Sequence, residues 1–384
     1  MNSFIITNAN IVTPEKNFTG SLIVENGLIT EIKQDTFYKE GIDLQGNWLT
    51  PGCIDIHSDY IEKELHPRPS ANFPLPLAFH FMDQRAAACG ITTLYSAVSF
   101  SDNPEMDRSF DKAIDLSKGI DKLRQNALIR HLIHARLDPN SEVVDAYFEA
   151  MLEIESLGII IYNENIPGQR QFDKQTQIRR RVKHWGISIE EATLKINEAI
   201  EKLSKINKRP EIQEAFEGKI LLGSHDDTTK EHVYEAKYYG AELSEMPTTI
   251  EAARQARALN LFICMGAPNF VRGGSHCGNL SCHEAMEEGL VDLLCSDYHF
   301  PTLLTAVIRM MNEGISPSVA MNYVSLNPAR LMKLDDKIGS IEVGKEADLL
   351  SFNSENDYAD ISHVWVNGVL KYFVHKEGVA LVKN

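Results

Sequence analysis

His57 and Asp59 lie two positions apart at the end of a short apolar run, residues 51–57, that is typical of a buried strand. Side chains two positions apart on a strand point in the same direction, so this imidazole and this carboxylate project together from the strand end. A nitrogen and an oxygen ligand that converge from a rigid element can hold a divalent metal ion. A turn with a capping aspartate is the alternative for an isolated pair, and other strand ends decide between the two interpretations.

Two more residues of the same chemical types lie at predicted strand ends further along the chain. His225 ends one apolar stretch, and Asp297 ends the last one. With His57 and Asp59 they form a set of nitrogen and oxygen donors that needs no thiolate, which suits Zn²⁺ and leaves Mn²⁺, Fe²⁺ or Ni²⁺ open. The four residues together favour a metal centre over four unrelated turns.

These side chains can meet only if the strands that carry them end at the same edge of a sheet. Eight apolar strand candidates alternate with helical stretches, a pattern typical of a parallel sheet. The predicted strands are residues 51–57, 91–98, 127–138, 158–164, 219–225, 240–245, 260–266 and 290–297. Eight strand–helix units predict an α/β protein with a TIM (β/α)8 barrel, in which the chemistry lies at the carboxyl ends of the strands. An open doubly wound sheet is disfavoured, because no Gly-x-Gly-x-x-Gly motif follows any of these strands.

The two ends of the chain differ from the middle in their residue pattern. Short strand-like runs separated by turn residues fill residues 1–50 and 338–384, and each end contains an Asn-Gly hairpin signal, at Asn26 and at Asn367. This similarity predicts one small β-sandwich domain assembled from both termini, with residues 51–337 forming the barrel.

A polar insertion, residues 169–218, follows the fourth predicted strand. It is largely helical in pattern, includes the basic run Arg179-Arg180-Arg181, and is too long for an ordinary connection between strands. Two interpretations stay open: a solvated helical insertion, or a lid that brings arginines over an anionic ligand.

Composition limits the classes of partner. The chain has 384 residues, 43 % of them apolar, and a formal net charge of −16, which predicts a folded protein with a sizeable core and argues against a nucleic-acid surface. Because the overall field repels anions, an anionic substrate requires a local cluster of basic residues. The six cysteines lack disulfide spacing, and neither a secretory signal nor an apolar run of membrane-spanning length is visible. A cytoplasmic protein with no membrane partner is therefore expected.

Several of these features together resemble the amidohydrolase superfamily. Residues 50–57 open the barrel, His225 ends its fifth strand, Asp297 ends its eighth, and the tail 339–349 returns into the sandwich. The resemblance covers essentially the whole chain and implies a metal-dependent hydrolase.

Three positions depart from the pattern of most superfamily members. Asp59 stands where most have the second histidine of a His-x-His pair. No lysine ends the fourth strand, where Glu164 is the nearest candidate ligand, and Glu245 stands on the sixth strand where many relatives have a second histidine. The number of metal ions, one or two, is left open by these departures. The ligands implied by the resemblance are His57, Asp59, Glu164, His225 and Asp297.

Longer motifs resemble a narrower family, the phosphonate-utilisation amidohydrolases that act as α-D-ribose 1-methylphosphonate 5-triphosphate diphosphatases. The motifs are residues 57–63, 66–69, 167–172, 224–227, 266–279 and 296–298. This family hydrolyses a ribosyl triphosphate to a monophosphate and pyrophosphate, so the resemblance implies a small anionic phosphorylated substrate. Residues 163–166 depart from the family, which has an acid–histidine pair before its Pro-Gly-Gln motif.

Basic residues that follow the catalytic-face strand ends are candidates for phosphate binding. The predicted substrate-binding residues are Lys63, His66, Arg68, Arg170, Arg272 and His276. The planar guanidinium fork suits phosphate oxygens, and the glycines after Arg272 let the backbone approach them. Asp297 is predicted to orient the attacking water and accept its proton. The alternatives are a hydrolase of N-acyl or cyclic amide bonds and a catalytically silent scaffold, and a homo-oligomer is left open.

Overall fold

The computed structural model describes residues 3–68, 71–102, 108–170, 172–354 and 357–374. The chain divides into two compact units. The terminal unit comprises Met1–Leu94, Asn126–His131 and Cys295–Asn384, and the central unit comprises Tyr95–Gln125 and Leu132–Leu294. The domain boundaries predicted at 50/51 and 337/338 follow the two sheets rather than these units and stay a prediction. The end of the predicted sandwich, residues 375–384, lies outside the described residues, as do Pro69 and Gln171 of the motifs.

Sixteen strands occur in the described residues. In chain order they are β1 (Ser3–Val12), β2 (Asn17–Glu25), β3 (Leu28–Gln34), β4 (Ile42–Asp43), β5 (Trp48–Pro51), β6 (Cys53–Ser58), β7 (Ile91–Phe100), β8 (Arg130–Leu137), β9 (Leu157–Tyr162), β10 (Leu221–His225), β11 (Leu243–Glu245), β12 (Phe262–Gly266), β13 (Leu293–Cys295), β14 (Leu349–Asn353), β15 (Asp360–Val366) and β16 (Val369–Phe373).

Fourteen α-helices accompany them in the same part of the chain. They are α1 (Tyr60–Leu65), α2 (Leu75–Ala88), α3 (Phe110–Leu123), α4 (Phe148–Leu152), α5 (Lys174–Trp185), α6 (Ile189–Leu203), α7 (Arg209–Phe216), α8 (Lys230–Tyr238), α9 (Ile250–Ala258), α10 (Ala267–Arg272), α11 (Cys282–Glu287), α12 (Thr302–Asn312), α13 (Pro317–Asn322) and α14 (Leu326–Leu331). Among the described residues, none of these helices combines the length and the apolar character that crossing a membrane requires.

The predicted β-structure built from both termini is confirmed as one mixed sheet. Its strand order is β16-β15-β14-β5-β1-β2-β3, and β4 pairs with β1. Strand β5 is the junction, because it lies parallel to β1 and antiparallel to β14. Both Asn-Gly turns have positive φ at each residue, 54° and 83° at Asn26-Gly27 and 49° and 68° at Asn367-Gly368, as a tight hairpin turn requires.

The predicted barrel is also confirmed. Strands β6 to β13 are neighbours in sequence order, and each predicted strand is present with bounds that differ by a few residues, β7 being longer than predicted and most others shorter. The backbone beyond β13 pairs with the end of β6, since the N–H of Asp297 donates to the His57 carbonyl (3.0 Å) and that of Asp59 to the Asp297 carbonyl (2.8 Å). Every residue of β6 and β7 is buried, so neither strand alternates between buried and exposed positions.

The insertion folds as three helices, α5, α6 and α7, as its helical pattern predicted. Asp173 and Ser188 cap the N-termini of α5 and α6 through their side chains, and Gly186 ends α5 with φ of 65°. Helices α5 and α6 share a small core of their own, with Ile178 and Ile196 buried at its centre. Helices α5 and α6 therefore form a helical hairpin with its own apolar contacts, and the choice between a solvated insertion and a lid stays open.

Candidate active site

A cluster of one imidazole and two carboxylates lies in the terminal unit. His57 Nε2 is 3.5 Å from Asp59 Oδ1, and one donor atom from each of His57, Asp59 and Asp297 lies within 4.8 Å of the other two. The His57 side chain is 1 % exposed and that of Asp59 29 % exposed, so the cluster is rooted in the interior and open on one side. Nitrogen and carboxylate donors at this spacing fit a divalent ion, which would also offset the repulsion between the two carboxylates.

The backbone at the ends of β6 and β13 holds this cluster in place. Asp297 has φ of 53°, a left-handed conformation that aspartate tolerates better than most residues, and strain of this kind is often found at functional sites. Beneath it, the buried Asp55 carboxylate accepts hydrogen bonds from the backbone N–H (3.0 Å) and hydroxyl (2.5 Å) of Ser296. Burial raises the pKa of Asp55 to about 7, and these hydrogen bonds oppose the shift.

Lys63 belongs to the surroundings of the cluster. Its ammonium donates to the Tyr298 carbonyl at 2.8 Å and lies 4.9 Å from the centre of the Tyr298 ring. Burial lowers the pKa of Lys63, while the charges of Asp59 and Asp297 act in the opposite direction. Lys63 is therefore a cation whose charge is felt by two of the predicted metal ligands.

His66 and Arg68 follow α1 on an exposed segment. His66 Nδ1 lies 2.9 Å from Asn72 Oδ1, and Arg68 pairs with Ala71 in an isolated antiparallel bridge. These contacts are local to the segment, so the predicted roles of both residues in substrate binding stay predictions.

A second cluster, of two histidines and a glutamate, lies in the central unit. His225 Nδ1 is 2.9 Å from Glu245 Oε2, and His134 Nε2 is 3.6 Å from the same oxygen. Glu245 and His134 are fully buried. Asp226 and Met246, the residues that follow β10 and β11, both have positive φ, so the chain turns sharply just beyond these strands. Sequence reasoning missed His134, although its place on the predicted third strand was a signal that could have found it.

Glu164 has partners that differ from those expected of a metal ligand. Its carboxylate accepts from Arg170 Nε (3.0 Å) and lies 2.7 Å from Arg170 Nη2, and it also contacts the buried Arg209. Two guanidinium groups neutralise this carboxylate, and the acid beside His225 is Glu245 instead. Glu164 is therefore an ion-pair partner of two arginines, and its predicted role as a metal ligand stays a prediction.

Arg170 is likewise engaged within the protein. Its Nη1 donates to Asp227 Oδ1 at 2.7 Å, and its side chain is 8 % exposed. Asp227 is fully buried and also accepts from the hydroxyls of Ser224 (2.5 Å) and Ser244 (2.8 Å). The Arg170 N–H groups that were expected to bind phosphate thus donate to carboxylates.

The remaining two predicted substrate-binding residues lie in the segment after β12. Arg272 is the exposed last residue of α10, and Gly273 and Gly274 have φ of 76° and 156° where that helix ends. Helix termination explains the left-handed conformation of Gly273, and the phosphate-approach role of this loop stays a prediction. His276 lines a cavity of about 680 Å³ together with Arg170 and Thr248.

Comparisons with known proteins agree with the fold. The amidohydrolase family matches residues 189–374. The chain is 32 % identical over 375 residues to the α-D-ribose 1-methylphosphonate 5-triphosphate diphosphatase of Escherichia coli (strain K12), covering 95 % of this chain and 99 % of that protein.

Solved structures show the same fold at much lower identity. The dihydropyrimidinase of Brevibacillus agri superposes with a TM-score of 0.65 at 14 % identity, covering 97 % of this chain and 96 % of the other. The N-acetylglucosamine-6-phosphate deacetylase of Pasteurella multocida gives 0.62 at 16 %, covering 96 % and 99 %. With a full-length relative above 30 % identity and this shared architecture, the chain belongs to the amidohydrolase family of hydrolases.

Proposed function

We propose that this protein is a metal-dependent hydrolase that cleaves α-D-ribose 1-methylphosphonate 5-triphosphate, or a close ribosyl triphosphate, to the 5-phosphate and pyrophosphate in phosphonate catabolism. The observation that carries the proposal is the similarity along nearly the whole chain to a protein named for that activity. A cytoplasmic location and a homo-oligomeric state stay predictions from the sequence.

Two donor sets are candidates for one or two divalent ions, with Zn²⁺ preferred and Mn²⁺, Fe²⁺ or Ni²⁺ as alternatives. The first set is His57, Asp59 and Asp297, and the second is Glu245 with the two histidines beside it, His134 and His225. A divalent ion held by these residues would supply Lewis-acid chemistry, activating water and polarising a phosphoryl group.

The protein's own groups would carry the proton and the charge. Asp297, on a turn whose backbone is hydrogen bonded to β6, orients the attacking water and accepts its proton. Lys63 contributes positive charge beside the two carboxylates of the first set. Attack falls on the phosphorus nearest the sugar, and pyrophosphate leaves with its negative charge stabilised by basic groups.

The test is a product screen of the metal-loaded protein. Ribosyl and nucleoside triphosphates are supplied alongside N-acyl and cyclic amides, and phosphate, pyrophosphate and free amine or acid are measured. We expect pyrophosphate and a ribosyl monophosphate in equal amounts. Turnover of an amide with no pyrophosphate from any triphosphate would replace this proposal by the amide-hydrolase alternative.

A further inference from the structure

A large cavity in the central unit is lined by the insertion. Its volume is about 770 Å³, within the usual range for a small-molecule site. One wall is the segment after β9, including Asn163 and Asn165, and the other is one side of α5, including Arg180, Arg181 and Lys183.

The charge of the α5 wall is not balanced within the described residues. Among them, no carboxylate pairs with Arg180, Arg181 or Lys183, whereas Arg170 and Arg209 both contact Glu164. The chain has 54 acidic and 38 basic side chains, so acidic partners are abundant elsewhere. Three cations to which the described part of the chain offers no acidic partner lie on one wall of the cavity, and they make it attractive to an anion.

Two carboxylates also line this cavity, and both have cationic or imidazole neighbours. Glu164 is bound by two guanidinium groups, and Asp226 Oδ2 lies 3.4 Å from His225 Nε2. Arg136 adds a further guanidinium, which donates to Asn163 Oδ1 at 3.3 Å. The cavity wall therefore keeps a positive character despite these acids.

The guanidinium groups of Arg180 and Arg181 lie over the faces of aromatic rings. The Arg180 guanidinium carbon is 4.1 Å from the centre of the Phe172 ring, and that of Arg181 is 4.9 Å from the Trp185 ring. A guanidinium that stacks on a ring still presents its N–H donors in its own plane, where they can bind an oxyanion. Stacking thus orients the donors and reduces the entropy lost on binding.

The site extends beyond one cavity. Arg170, Phe172 and Arg180 line both the cavity of about 770 Å³ and the neighbouring one of about 680 Å³, which also contains His276 and Thr248. A ligand that meets Arg181 at one end and His276 at the other must be elongated, which fits a chain of phosphates better than a single phosphate.

We infer that this pair of cavities is a polyphosphate-binding pocket and that Arg180 and Arg181, rather than Arg170, bind the phosphate oxygens. The identity of the natural ligand rests on the proposed function, whereas binding of pyrophosphate tests the pocket directly. Arg180 and Arg181 were not among the substrate-binding residues predicted from the sequence.

The experiment is calorimetric titration of the full-length, metal-loaded protein with pyrophosphate. Arg180→Gln and Arg181→Gln are each expected to raise the Kd by at least about tenfold, because each removes a charge-assisted fork. Arg179→Gln is the matched control, since it makes the same charge change on the same helix and Arg179 lines neither cavity. Metal content and circular dichroism are measured for all four proteins.

The outcomes separate this inference from the proposed function. Equal weakening in all three variants, or in none, would overturn the pocket. Normal kcat/KM for a ribosyl triphosphate in Arg180→Gln and Arg181→Gln would also overturn it while leaving the proposed function standing. Selective loss of pyrophosphate binding in a protein that hydrolyses no triphosphate would support the pocket and refute the proposed function.

Discussion

Replacing Arg170 by alanine is expected to destabilise the protein, beyond any effect on substrate. Arg170 makes three charge-assisted contacts of 2.7–3.0 Å, two with Glu164 and one with Asp227. These three side chains are 8 %, 4 % and 0 % exposed, so water cannot take over the lost contacts. Removing one member of a buried ion pair costs about 3–5 kcal/mol, because the other charge stays buried. Arg209 remains beside Glu164 and two hydroxyls remain on Asp227, so we expect a loss near the lower limit, about 3 kcal/mol.

Denaturant titration followed by circular dichroism measures this loss as a lower midpoint with an unchanged slope. Arg179→Ala, an exposed change on α5, is the control and is expected to alter the free energy of unfolding by less than about 0.5 kcal/mol. Asp227→Asn in both backgrounds then isolates the coupling between that carboxylate and Arg170. If Arg170→Ala were as stable as the control, the ion pairs would not be structural, and Arg170 would again be a candidate for phosphate binding.

Three other substitutions test, in turn, activity, metal content and the pH dependence of stability. Asp297→Asn keeps the side-chain shape and removes its basicity, so kcat is expected to fall by about 10²–10⁴-fold with metal still bound; wild-type kcat would remove the assigned role. His225→Ala is expected to lower the tightly bound metal measured by elemental analysis, and equal content in wild type and variant would exclude His225 as a ligand. Burial and the Arg170 charge lower the pKa of His232 to about 4, and its Nδ1 accepts from the Thr228 N–H. Because the unfolded chain binds this proton more readily, stability should fall as pH drops from about 6.5 to 4, and His232→Gln should lose less over that window in denaturant titrations.

The strand ends were predictable because they depend on local patterns. His57, Asp59, His225 and Asp297 each follow a run of apolar residues, and a parallel barrel brings such positions to its carboxyl-terminal edge whatever the intervening sequence. The Asn-Gly turns were predictable for a similar reason, since only a few residue types adopt the positive φ that a tight hairpin needs.

The partners of individual charges were not predictable, because they depend on residues far apart in the chain. Glu164 precedes Arg209 by dozens of residues, and only the folded insertion brings the two together. The pattern at Arg272-Gly273-Gly274 predicted a phosphate loop, and it did not show that a short helix ends there with Gly273 as its left-handed cap. A sequence motif shows which residues are present, but it does not determine which acidic side chain each basic side chain will contact.

The arginines of the central unit are of two kinds, according to whether they contact acidic side chains. Arg170 and Arg209 are buried and paired with acids, so salt should affect their contribution little. Arg180 and Arg181 stack on aromatic rings at the wall of a cavity, and their charge is available to a ligand. A protein with a net charge of −16 repels polyanions at a distance, so the affinity of this pocket must come from short-range contacts. Added salt screens both the long-range repulsion and the local attraction, which act in opposite directions. Pyrophosphate binding should therefore weaken less with salt than it would on a basic protein surface.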